Sequence, residues 1–214
     1  MTTPPSRAGT KGVPRAAREQ QVLAAATAEF GRHGYEATTI AAVASRVGVT
    51  KPLLHHYFGS KQDLYLACLE PIGERILDAI RTAMADRTPD APSTPLRVLH
   101  ALFTALDGQR EAWFVLYDAT LPPDSDAARR ATRYRDAIDD LATTGTADLL
   151  HAAGSTDPLD ADALTYAWRG LCTALVRWWA KHPDQTPDAM TQRCARLFAA
   201  SPALLATGIE PPQP

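Results

Sequence analysis

Between Thr39 and Phe58 two short apolar-patterned segments are separated by a single glycine, and no other feature of the chain narrows the fold as much. Ile40, Val43, Ala44 and Val47 recur at the spacing of one helix face. Gly48 then supplies the left-handed turn that other residues enter only at steric cost, and Val49 turns back inward. Thr50 offers a hydroxyl to cap a second helix, in which Pro52 takes an early position where its missing N–H costs nothing. Gly59 closes that helix after Phe58, while Leu54 and Phe58 are expected to face the core. Two helices joined this tightly cross at a steep angle, and Ala44 is small enough to let them.

The remainder also reads as helix. Residues 1–14, rich in Pro, Gly, Ser and Thr, are expected to form a disordered arm. From Arg15 a helical pattern places Val22, Leu23, Ala26 and Phe30 on one face, and Gly34 ends it. Thr38 or Thr39 caps the helix that leads to Gly48. Ser60 caps a long helix whose apolar residues run from Leu64 to Ile80, with a kink expected at Pro71. Beyond a Pro-rich break at 88–95 come apolar stripes at Leu96–Leu106 and Trp113–Tyr117, then a polar helix over about 126–153. Two last helices follow, at 158–182 and 187–200; the first carries Leu164, Trp168, Leu171 and Leu175, the second Met190, Cys194, Leu197 and Phe198. With no alternating strand pattern, the expected fold is all-α. A three-helix N-terminal domain (15–62) with a helix-turn-helix is joined by a long helix to a C-terminal helical domain (63–214).

Charge divides along the chain. Residues 1–62 hold eight Lys/Arg against three Asp/Glu, whereas residues 63–214 hold fourteen against twenty-one. A basic end on an acidic body is the layout of a protein that offers one end to a phosphate backbone. No stretch approaches the ~18 apolar residues of a membrane span, and no apolar run follows the N-terminal cations to make a signal peptide, so a cytoplasmic address is expected. Cys68, Cys172 and Cys194 lie far apart within apolar helical patterns and read as buried thiols. No metal site or cofactor is expected. Adjacent His55 and His56 point about 100° apart on a helix and chelate poorly, and Asp136, Asp139 and Asp140 follow a run of arginines as one solvated face.

The segment TTIAAVASRVGVTKPLLHHYFGSKQDL, together with Arg18, Val22, Leu23, Ala26, Phe30, Gly34 and Tyr35 before it, resembles the DNA-binding domain of the tetracycline-repressor (TetR) family over about residues 15–65. The resemblance implies a homodimer that reads a palindromic double-stranded operator, with no membrane involvement, and is released from it by a small-molecule effector. The implied contact residues are Thr39, Thr50, Lys51, Pro52, Leu53, His55, His56, Tyr57 and Lys61. His55 and Tyr57 depart from the family pattern, which usually has Tyr and then His at these positions; both replacements are expected to donate hydrogen bonds to the DNA backbone. The last two helices would form the dimer contact. Trp178 and Trp179 cannot face one way, so one is expected in that contact and the other nearer the core.

Trp113, Phe114, Tyr117 and Trp168 are candidates for an apolar effector pocket, though such stripes are as often plain core. Two other classes compete. An enzyme finds little support, because the chain has no P-loop, dinucleotide glycine fingerprint, G-x-S-x-G elbow or H-E-x-x-H. A sequence-independent DNA-compacting protein would bind with a steep salt dependence and little site preference.

Overall fold

The structure, a computed structural model, describes residues 14–86, 88 and 91–205; the arm expected at 1–14 lies outside these apart from Pro14. Every regular element among the described residues is a helix. In order they are α1 (Arg15–Ala37), α2 (Ile40–Val47), α3 (Lys51–Phe58), α4 (Lys61–Ala85), α5 (Thr94–Leu106), α6 (Ala112–Leu116), α7 (Asp126–Ala152), α8 (Pro158–Ala180) and α9 (Pro187–Leu205). Helical geometry breaks at Gly34 (φ 77°, ψ 169°), and a short further segment carries α1 to Ala37.

Local chemistry sets the ends that matter. Thr39 accepts from the Ala42 N–H at 3.1 Å and starts α2, whereas Thr38 is buried and donates to the Glu29 and Gly34 carbonyls. Gly48 closes α2 in the left-handed conformation (φ 69°, ψ 31°), donating back to the Ala44 and Ser45 carbonyls. A side chain there would cost about 1–2 kcal/mol. Thr50 accepts from the Leu53 N–H and opens α3. Ser60 and Asp63 cap each other reciprocally at the start of α4; α4 then passes through Pro71 as one helix, so the ring does not end the element.

The described residues form two compact units, each discontinuous in sequence: the first takes those up to Gly73 and Glu111–Arg133, the second Glu74–Arg110 and those from Tyr134 to Leu205. In the first, Val22, Ala26 and Phe30 of α1 are buried, as are Val43 and Ala44 of α2, Leu54 of α3, Leu64, Tyr65 and Leu69 of α4, and Ala112, Val115 and Leu116 of α6. Phe58, expected inside, is only half-buried because it sits in the last turn of a short helix. Tyr65 meets Phe30 and Tyr35 edge-on at 4.9 and 5.3 Å and donates to the Val115 carbonyl at 2.5 Å. The start of α6 approaches α1 so closely that a Cβ on Gly31 would lie 2.2 Å from the Glu111 carbonyl oxygen.

In the second unit α5 packs on α9. Leu99, Leu102, Phe103 and Leu106 share the buried set with Cys172, Val176 and Trp179 of α8 and with Met190 and Cys194 of α9. Arg110 fastens the turn between α8 and α9: its guanidinium lies 4.0 Å over the Trp179 ring and donates to the carbonyls of Trp179, His182, Pro183 and Gln185 at 2.8–3.1 Å. Trp179 is the buried member of the tryptophan pair, and Trp178 is 37% exposed. All three cysteines are free and buried, and burial pushes the Cys68 and Cys172 thiols up to about 12.

Candidate nucleic-acid interface

Eight residues, capped at the start by Thr50 and at the end by Gly59, make α3 a rigid platform about 12 Å long. Its inner edge is Leu54, which is fully buried. Lys51, Pro52, His55 and His56 are exposed, as are Thr39 and Thr50 at the helix starts, while Leu53 and Tyr57 are half-buried. Of the residues expected on α3, four are therefore exposed and two are partly covered. Arg15, which sequence reasoning left out of the site, places its guanidinium 5.3 Å from the Tyr57 ring centre and pairs with Glu19.

Lys61 is held differently from a free surface cation. Its ammonium lies 4.4 Å over the Tyr35 ring and donates to the Glu36 carbonyl at 3.2 Å, tying the start of α4 to the end of α1. Burial draws its pKa below the usual lysine value, with Glu36 and Asp118 pulling the other way.

His55 is also engaged. Its Nδ1 sits 2.6 Å from the Gly59 carbonyl oxygen, and the Gly59 N–H donates to the His55 carbonyl at 2.9 Å. The side chain thus closes a ring of contacts with its own helix cap.

Two buried carboxylates brace this platform, and neither stood out in the sequence. Glu29 of α1 meets Arg46, in the last turn of α2, at 2.5 Å. Asp118 accepts from the Tyr35 N–H at 2.6 Å and from the Thr120 N–H and hydroxyl at 2.7 Å each, while Thr120 also accepts from the Glu36 N–H. Arg32 and Glu111 add an ion pair at 2.7 Å. The connection from α6 to α7 is therefore latched to the turn that leads into α2. The Asp-Ala-Thr stretch carries a local turn signal; nothing local says that its partner is Tyr35.

Trp113 is buried against Tyr117, with ring centres 4.5 Å apart, and both belong with Phe114 to the first unit, whereas Trp168 lies on α8 in the second. Within the second unit a groove of about 970 Å³ runs between α4 and α5 and reaches Thr191 of α9. Ala79, Ala83, Ala101 and Leu96 give it an apolar floor, and Arg75, Asp78 and His100 edge it. Asp139 pairs with Arg169 of α8.

Residues 22–68 match the model of the family described as bacterial regulatory proteins, tetR family. The transcriptional activator FasR of Mycolicibacterium smegmatis is 30% identical over 106 residues, which is 50% of this chain and 48% of that protein. The transcriptional dual regulator CecR of Shigella flexneri is 43% identical over 63 residues, 29% of this chain and 28% of its own. The chain thus spans about half the length, or less, of these curated relatives. A TetR-like regulator from Rhodococcus sp. RHA1 is similar in structure (TM-score 0.62, 26% identity) over 89% of this chain and 98% of that one. A TetR-family regulator from Bordetella parapertussis shares the fold at a TM-score of 0.70 and 20% identity, covering 84% and 93%. These similar proteins are transcriptional regulators rather than enzymes. No described helix is long and apolar enough to cross a membrane.

Proposed function

We propose that this chain, whose residues 22–68 match the tetR-family model, is a cytoplasmic, homodimeric regulator that reads a palindromic operator with α3. The observation that carries this reading is the exposed α3 face of Lys51, Pro52, His55 and His56 over a single buried anchor, Leu54. A helix braced in this way enters the major groove with its N-terminal residues at base edges. Lys51, in the first turn, suits the acceptors of guanine; Leu53 and Pro52 suit a thymine methyl. Tyr57, Arg15 and Thr39 flank that turn as phosphate contacts. In the assignment we favour, residues 15–62 read DNA and residues 63–214 dimerise and respond to an effector.

Dimerisation through α8 and α9 is supported by what those helices leave uncovered. Tyr166 is 75% exposed and Leu197 51%, and the stripe Leu164, Trp168, Leu171 and Leu175 is only half-buried. A two-fold axis through such a pair would present two α3 helices to two half-sites. The output is repression, relieved when a small molecule takes the groove between α4 and α5 and shifts the population of reading-competent dimers. That groove suits an effector better than the Trp113 stripe, because Trp113 and Tyr117 are occupied in packing one another.

Selection of bound duplexes from random and genomic DNA tests the reading. A single inverted-repeat motif is expected, and Lys51→Ala should weaken binding to it by about 1–3 kcal/mol and relax its base preference. Recovery of duplexes with no shared motif, or of none at all, would remove the proposal.

A further inference from the structure

His55 carries chemistry that a phenol at the same place would lack. The atom 2.6 Å from its Nδ1 is a carbonyl oxygen, which can only accept, so Nδ1 bears the proton. In the neutral ring Nε2 is then a bare acceptor. Phosphate oxygens are acceptors too, and two acceptors repel. The position of His55 makes this matter: α3 is about as long as the major groove is wide, roughly 12 Å. With Thr50 and Lys51 at the base edges, the last turn of α3 therefore lies level with the phosphates of the groove wall. His55 is exposed there, and the neutral side chain has no N–H left to offer.

Resting on the DNA-binding reading above, we infer that His55 is a proton-linked phosphate contact, so that operator binding takes up one proton from solvent onto Nε2. The imidazolium keeps its Nδ1–H on the Gly59 carbonyl and donates Nε2–H to a phosphate oxygen, a charge-assisted bond. The carbonyl end of α3 favours the same cation. Histidine is the side chain whose charge changes between pH 5 and 8, so the contact strengthens as pH falls through that range and is lost as pH rises.

The charged neighbours do not supply the same response. On α3, Lys51 is one turn back and carries no imidazole, and His56 is adjacent. On α4, Asp63 lies against Gly59, and its hydrogen bonds from Ser60 hold it below the usual carboxylate range, so it stays ionised. Lys61 is turned to Glu36 and Tyr35. On α1, Arg15 is paired with Glu19, and on α2, Arg46 with Glu29. His56 is the other imidazole on this face, and it provides the control.

The test uses the full chain and the tightest duplex recovered by selection, with fluorescence anisotropy from pH 5.5 to 8.0 at constant ionic strength. Wild-type affinity should rise by up to about tenfold per pH unit lowered, the response of one linked proton. His55→Tyr, whose hydroxyl donates without titrating, should lose that slope; His56→Gln should keep it. Titration calorimetry of the wild type in two buffers of different ionisation enthalpy counts the proton directly and needs no variant. Equal slopes for wild type and His55→Tyr, or no buffer-dependent heat, would overturn the inference and leave DNA binding intact. Failure to recover any duplex would instead overturn the DNA-binding reading, and this inference with it.

Discussion

Replacing Asp118 with Asn keeps the shape of a side chain that holds the turn before α2 and changes its charge and its hydrogen bonding. One carboxylate oxygen takes the Tyr35 N–H at 2.6 Å, and the other takes the Thr120 N–H and hydroxyl at 2.7 Å. Asn supplies one oxygen and one donor-only NH₂. Its better orientation keeps the oxygen on Thr120 and aims the NH₂ at the Tyr35 N–H, so two donors face each other where a short bond stood. One charge-assisted bond is lost, at about 1.5–3 kcal/mol, and the two that remain weaken to neutral strength. A total near 3 kcal/mol lowers the melting temperature by about 6–12 °C for a chain of this length. Thermal denaturation by circular dichroism measures the shift, and amide exchange at Tyr35 locates it. A midpoint within about 2 °C of wild type, with Tyr35 still protected, would refute the idea that Asp118 holds the turn.

Four further outcomes follow from packing and burial. Gly31→Ala drives a Cβ into the Glu111 backbone and should cost about 1–3 kcal/mol in chemical denaturation; Gly145→Ala, whose Cβ meets only the Met84 methyl at 3.4 Å, should be neutral or gain up to about 1 kcal/mol. With Cys68 and Cys172 held near 12 and Cys194 also raised by burial, a thiol reagent at pH 8 should label the native protein negligibly and label all three thiols once it is unfolded. Leu197→Glu, on the exposed side of α9, should shift sedimentation of the proposed dimer to monomer without changing helix content.

What the sequence made legible was mostly what local chemistry decides. Thr39, Gly48, Thr50, Gly59 and Ser60 act on residues within four positions, so the boundaries of α2 and α3 could be read directly. The choice between Thr38 and Thr39 could not, because it turns on Thr38 reaching the Glu29 carbonyl nine residues back. On α8 the regular Leu164–Leu175 stripe catches the eye, yet the buried face is Thr165, Cys172, Val176 and Trp179. Periodicity finds an apolar face; it does not say which neighbour covers it. Asp118 and Tyr35 are 83 residues apart, and Glu29 is a buried carboxylate whose partner, Arg46, lies on another helix. Such pairs become visible only when the chain has been folded. His55 could be placed on the α3 face from sequence, but the nitrogen that carries its proton is set by the Gly59 carbonyl.

The latch between Asp118 and Tyr35 has a consequence for anyone who would cut or recombine this chain. The unit that contains α1 to α3 is not a contiguous stretch, since it borrows residues 111–133 from beyond α5. A fragment ending at residue 62 would leave Phe30 and Tyr35 without Tyr65 and strip α1 of its cover from α6. Grafting this reading head onto a foreign effector module therefore means transplanting two pieces, with the second chosen to fit the small-residue surface at Gly31.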